Sequence, residues 1–240
     1  MPYMMGGFPD LPSCARIAAA YAEGGAELVE LGIPFSDPLA DGPVIAAAGT
    51  AALRAGATVE GVLGVCEGLA PRVPVVVMCY ANLVLAPGAE RFAARLAEAG
   101  ASGLIVPDLP LEESPAVLAA CEAAGVALVP LVAPTTPEER LARIGARARG
   151  FLYTVAVTGT TGEREALDVG GVVARARAHA QVPVAVGFGI GTPEQARAAA
   201  DAGADGVIVG SRLVRAAAES ADPAPAVREL VAAFAAALTG

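Results

Sequence analysis

The sequence predicts an α/β fold: a closed (β/α)8 barrel formed as a single domain over residues 1–240. Three observations predict it. Strand and helix patterns alternate from one end of the chain to the other, eight strand–helix units fit into 240 residues, and no linker, low-complexity segment or composition shift divides them. Consecutive strands are separated by enough chain for a crossover helix, which makes them parallel. A doubly wound open sheet is the alternative, but no Gly-x-Gly-x-x-Gly follows the first strand to support it.

Tyr3–Met5 opens the chain as a short strand, and Leu11–Glu23 reads as a helix stopped by Gly24-Gly25. Ala26–Leu31 is the second strand; its alternation puts Leu28 and Glu30 on one face and Val29 and Leu31 on the other. Pro43–Arg54 and Val59–Leu69 are helical, and the β-branched run of Val73–Tyr80 marks a buried strand. Then come a helix over Gly88–Ala99, a strand over Gly103–Val106, a helix over Leu111–Ala124 and a strand over Ala127–Val132. Thr136-Pro137-Glu138-Glu139 reads as a capping box that opens a helix to about Arg147. Phe151–Val157 is a strand, Thr158–Gly162 a Gly/Thr loop and Glu165–His179 a helix. Pro183–Val186 runs into Gly187-Phe188-Gly189, and Thr192-Pro193-Glu194-Gln195 is a second capping box, for a helix to Ala202. Gly206–Val209 is the last strand, followed by Gly210-Ser211 and helical segments. Gly25, Gly100, Gly125 and Gly203 each stand just before a strand, where glycine ends a helix in the left-handed conformation.

Composition removes several function classes. A net charge of −9 with no basic run leaves no footprint for nucleic acid or an anionic membrane. No apolar run reaches the ~18 residues of a spanning helix, and the first residues lack a signal peptide's basic start, so a cytoplasmic protein is expected. Four cysteines, at 14, 66, 79 and 121, have no metal or redox spacing and read as buried free thiols. The single histidine, His179, excludes His-cluster metal sites, and no metal is expected.

The chemistry concentrates where barrels place it, at the C-terminal ends of strands. Glu30 ends an apolar strand, where a carboxyl is costly without a partner or a function, and its pKa there should be raised. Asp37 and Asp41 follow in a loop stiffened by Pro34, Pro38 and Pro43, so Glu30 and Asp41 can face one pocket for acid–base work; turn formation alone is the other reading of either aspartate. Gly/Thr- and Gly-rich turns at 158–162, 187–189 and 210–211 can converge and offer backbone N–H groups to a phosphate, or they can simply be tight turns. Tyr3 and Phe188, with Ile45 and Met78, can hold a flat apolar group, or pack as ordinary core.

These residues resemble a known family. ELGIPFSDPLADGP at 30–43, YANLV at 80–84, GLIVPDLPLEES at 103–114, LVAPTT at 131–136, TGTTG at 158–162, VGFGIGTPEQ at 186–195 and ADGVIVGS at 204–211 look like the tryptophan synthase alpha subunit, in order and over nearly the whole length. The resemblance implies a TIM barrel that splits indole-3-glycerol phosphate into indole and glyceraldehyde 3-phosphate without a cofactor of its own. It implies that Glu30 is the acid–base residue and that Asp41 binds the indole N–H. Tyr153 would line the pocket, and Thr161 would sit on a closing loop. Gly162, Gly189, Gly210 and Ser211 would hold the phosphate. A beta subunit carrying pyridoxal phosphate would be the partner, in an alpha2beta2 complex, against a rim of Asp37, Pro38, Asn82 and Asp108. Three departures accompany the likeness: the usual helix before the first strand is missing, Thr160 stands where valine is usual, and Ala156 replaces a common serine. Two other functions compete: a phosphate-binding isomerase, which gives Asp41 no special place, and a non-catalytic activator of a beta subunit.

Overall fold

A computed structural model describes residues 1–155, 169–187 and 189–239. Its strands are β1 (Tyr3–Met5), β2 (Val29–Gly32), β3 (Val75–Met78), β4 (Gly103–Ile105), β5 (Ala127–Val129), β6 (Leu131–Val132), β7 (Leu152–Val155), β8 (Val184–Gly187) and β9 (Gly206–Val207). All pairings among these strands are parallel. The strands from β1 to β5 form one run in chain order and those from β6 to β9 another. The predicted strand 127–132 joins the two runs. It breaks at Pro130, which has no N–H for the ladder, although its carbonyl still accepts from Tyr153 N at 3.0 Å. A parallel bridge between Pro2 and Val209, with Tyr3 N donating to Val209 O at 2.9 Å, closes the circle. The result is the expected barrel, with its fifth stave in two pieces.

The helices are α1 (Leu11–Glu23), α2 (Pro43–Arg54), α3 (Val59–Leu69), α4 (Ala81–Leu85), α5 (Ala89–Glu98), α6 (Pro115–Ala124), α7 (Glu138–Arg147), α8 (Val169–His179), α9 (Pro193–Asp201), α10 (Ser211–Glu219) and α11 (Pro223–Thr239). Strand alternation sorts the core into two layers. Val76, Ile105, Val129, Phe151, Tyr153, Ala185 and Ile208 fill the lumen. Val29, Leu31, Val75, Val77 and Leu104 point outward against helix residues such as Phe92 and Leu96. The four cysteines are buried and free. Among the described residues no helix is long and apolar enough to cross a membrane.

Some local expectations are corrected. The second strand starts at Val29, not Ala26, and α6 starts at Pro115 because residues 111–114 form a turn that Ser114 Oγ ties to Leu111 O at 2.8 Å. The capping box at Thr192 forms in full, with Gln195. The one at Thr136 does not: Pro137 is the cap residue, and Thr136 Oγ1 accepts from Ala133 N at 2.9 Å, tightening the loop after β6. Helix α4 escapes sequence reading because five residues are too few to display a period.

The four glycines ahead of strands all have positive φ, between 73° and 95°. At Gly100 an added Cβ would also lie 2.8 Å from Ala70 Cβ. Gly100→Ala is therefore expected to cost about 1–3 kcal/mol in chemical denaturation. Gly64 lies inside α3 with nothing near its missing Cβ, so Gly64→Ala should instead gain about 0.5–1 kcal/mol.

Candidate active site

Glu30 is the second residue of β2, and parity with Leu28 turns it into the lumen. It is level with Tyr3 on β1 and Val76 on β3. Its side chain is 1% exposed, and among the described residues neither carboxylate oxygen has a hydrogen-bond partner. Burial pushes its pKa up to about 8, against a smaller opposing pull from the Met1 ammonium. No described arginine forms the ion pair that would make such a residue purely structural.

Two tyrosines flank this carboxyl. Tyr3 reaches from β1 across β2, where a side chain on Gly32 would collide with its hydroxyl, and Tyr153 reaches from β7 across β8 over Gly187 in the same way. Gly187 thus gives clearance to an aromatic ring. Both phenols are buried, which holds their pKa values well above the ordinary range; Tyr153 also feels Glu30, and Tyr3 feels both Asp41 and Glu30. Tyr3, Ile45 and Met78 pack together, which fits a wall for a flat apolar group and ordinary core packing alike.

Asp41 ends the proline-stiffened loop, partly buried, with its pKa raised by burial and held back by a hydrogen bond from Tyr80. Through Tyr3 the two carboxyls share one electrostatic environment. Gly210 and Ser211 form the start of α10, and a Cβ on Gly210 would lie 3.8 Å from Tyr3 Cβ, so this helix N-terminus adjoins the tyrosine wall. Gly189 turns just after β8 with φ 85°. Thr161, Gly162 and Phe188, together with Ala156 and Thr160, lie outside the described residues.

The predicted rim has structural work of its own. Asp37 and Asn82 are exposed and Pro38 is half-buried; Asp37 Oδ2 accepts from Ser36 Oγ at 2.6 Å. Asp108 Oδ1 accepts from Ala81 N at 2.8 Å and so closes the free N-terminus of α4. Leu39 between them is 82% exposed. Tyr80 has a part in the site that its sequence position does not disclose. An aromatic at a strand end is legible there, but its hydroxyl partners come from a loop forty residues away.

Comparison with known proteins bears on this arrangement. A family model described as tryptophan synthase alpha chain matches residues 1–238. The tryptophan synthase alpha chain of Synechococcus sp. strain CC9902 is 50% identical over 219 residues, covering 90% of this chain and 81% of that one. Its counterpart from Gloeobacter violaceus is 51% identical over 219 residues, 90% and 79% of the two chains. Among solved structures, a chain of Mycobacterium tuberculosis tryptophan synthase superposes with a TM-score of 0.93 at 41% identity, over 99% of this chain and 91% of that one. A chain of the Pyrococcus furiosus tryptophan synthase a2b2 complex gives 0.89 at 31% identity, over 98% and 96%.

The raised Glu30 pKa makes stability depend on pH. The folded state holds this proton up to about pH 8, whereas an unfolded glutamate releases it near its ordinary value of 4.5. The stabilising contribution of the neutral form is complete below about 4.5 and is lost as pH rises to about 8. Glu30→Gln never ionises, so its melting temperature should rise relative to that of the native chain across this window. The gap should be smallest near pH 4.5 and constant above about 8, as read by differential scanning calorimetry.

Proposed function

Because the chain belongs to the tryptophan synthase alpha chain family, we propose that it is a carbon–carbon lyase. It cleaves indole-3-glycerol phosphate to indole and glyceraldehyde 3-phosphate by a retro-aldol step. The observation that carries the proposal is Glu30: a carboxyl buried in the lumen, unpaired among the described residues, level with Tyr3 and neutral up to about pH 8.

The reaction needs one proton delivered and one removed, with no electron acceptor. Neutral Glu30 donates its proton to the indole C3, and the ring nitrogen takes the resulting positive charge. Asp41 accepts a hydrogen bond from that N–H and stabilises the cation; its ionised form is the working one. The Glu30 carboxylate then takes the proton of the side-chain hydroxyl next to the ring. As the aldehyde forms, the carbon–carbon bond electrons return to the ring, leaving indole. Tyr3, Tyr153 and Phe188 line the ring's slot. Gly162, Gly189, Gly210 and Ser211 bind the phosphate by backbone N–H groups and the Ser211 hydroxyl. Thr161, outside the described residues, is assigned the part of covering the substrate and engaging Asp41 from the family resemblance alone.

We propose further that the protein is cytoplasmic and works as a single domain with no cofactor or metal of its own. A beta subunit, which holds pyridoxal phosphate, docks on the Asp37, Pro38, Asn82 and Asp108 rim in an alpha2beta2 assembly. Support comes from the Pyrococcus furiosus relative, which is an a2b2 complex, and from Leu39, which follows Asp37 and Pro38 in the chain and is 82% exposed.

The deciding assay is indole release from indole-3-glycerol phosphate with and without added beta subunit. Glu30→Gln is expected to keep phosphate-ligand binding and lose at least ~10²-fold in turnover; near-native indole release would sink the assignment. Turnover in the native chain should fall as pH rises through about 8, because the proton donor is then lost. Asp41→Asn separates this lyase from a sugar-phosphate isomerase, where the change would be silent.

A further inference from the structure

The Tyr80 ring lies at the end of β3, 5% exposed and stacked on Phe35 with ring centroids 5.4 Å apart. Its hydroxyl meets the acid loop at Ala40, whose N–H donates to Tyr80 Oη at 3.0 Å, and the same hydroxyl acts on the adjoining Asp41 carboxyl, holding its pKa down against burial. A phenol oxygen has one proton to give. With the Ala40 N–H occupying a lone pair, that proton is left to turn toward the Asp41 carboxylate, and the bond from Ala40 polarises the hydroxyl for it.

The anchor is itself held. Asp108 Oδ1 binds Ala81 N, the residue after Tyr80, and Leu83 N donates to Tyr80 O at 3.0 Å, so the backbone at Tyr80 is fixed at the start of α4. Phe35, from the near side of the acid loop, fixes the ring plane. The backbone bonds at Leu39 N and Asp41 N stay within the loop, running to Asp37 O and Pro38 O, so they shape it without tying it to the barrel.

We propose that Tyr80 is a positioning residue for the lyase reaction: its hydroxyl anchors the acid loop at Ala40 and so holds the Asp41 carboxylate where it receives the indole N–H. This rests on the functional reading above and adds to it a residue outside the acid pair. Among the described residues, the titratable groups facing Asp41 are Tyr80 from the end of β3 and Tyr3 from β1, with Asp108, after β4, acting on Tyr80. Burial raises the Asp41 pKa and the Tyr80 bond lowers it, so losing the hydroxyl moves the Asp41 titration to higher pH.

Tyr80→Phe keeps the stack on Phe35 and removes only the oxygen. A hydrogen bond to a charged group stabilises enough that its loss should lower kcat/KM for indole-3-glycerol phosphate about 10- to 100-fold. The acid limb of the profile, which reports Asp41 ionisation, should move to higher pH. Combined with Asp41→Asn, Tyr80→Phe should add no further loss. Native kcat/KM with an unmoved acid limb, or multiplying losses in the double variant, would overturn the proposal.

A second measurement is independent of turnover. The Asp41 carboxyl can be titrated by carbon-13 NMR in native and Tyr80→Phe protein, with a folded far-UV spectrum as control. A higher Asp41 pKa in the variant supports the proposal, and an unchanged one refutes it. If the native chain releases no indole, the lyase reading fails, while the NMR titration still decides the Tyr80–Asp41 link.

Discussion

The site depends on one constraint, the burial of the Glu30 carboxyl without a hydrogen-bond partner among the described residues. The residue is 1% exposed, and neither oxygen meets a donor there. A carboxylate in that position is costly, so the group keeps its proton far above its ordinary pKa. An arginine in the lumen would remove the effect by pairing with the charge. The Met1 ammonium offsets only part of it, and the other neighbours are Val76 and two tyrosines that stay neutral because they too are buried. The same apolar packing that closes the barrel therefore sets the charge state of the acid.

The second carboxyl is controlled differently. Asp41 stands on a loop, where position and ionisation both need an external fixture. Prolines limit the backbone, and the Tyr80 hydroxyl supplies a donor that opposes the burial effect. The two acids thus sit in environments that move them apart in charge state: burial favours neutral Glu30, while the Tyr80 hydroxyl favours ionised Asp41, as the proposed roles of proton donor and cation stabiliser require. Tyr3 feels both acids and lies beside the start of α10, so it joins the acid end of the site to that helix N-terminus.

Periodicity carries most of the fold because strand alternation and glycine reversals are local properties. The lumen placement of Glu30, the outward Val29 and Leu31, and the left-handed glycines at 25, 100, 125 and 203 all follow from a few neighbouring residues. Local patterns mislead where a signal has a competitor. Thr136 has the sequence of a capping residue, yet its oxygen is drawn to Ala133 N across the preceding turn. Pro130 sits inside an apolar run, and only the ladder reveals that the strand parts there. Gly187 has the setting of a phosphate-binding glycine, and the ring of Tyr153 lying over it supplies another reason for the absent side chain.

By itself, then, the sequence determined the order and direction of the strands and the face on which Glu30 lies, because each is encoded over a span of a few residues. Tertiary structure alone decided that no described side-chain donor reaches Glu30, that Tyr3 senses both acids, and that Tyr80 grips a loop forty residues earlier in the chain. Those are contacts between elements that neighbour one another only after the barrel has closed, and no local pattern specifies what a side chain will meet across that distance.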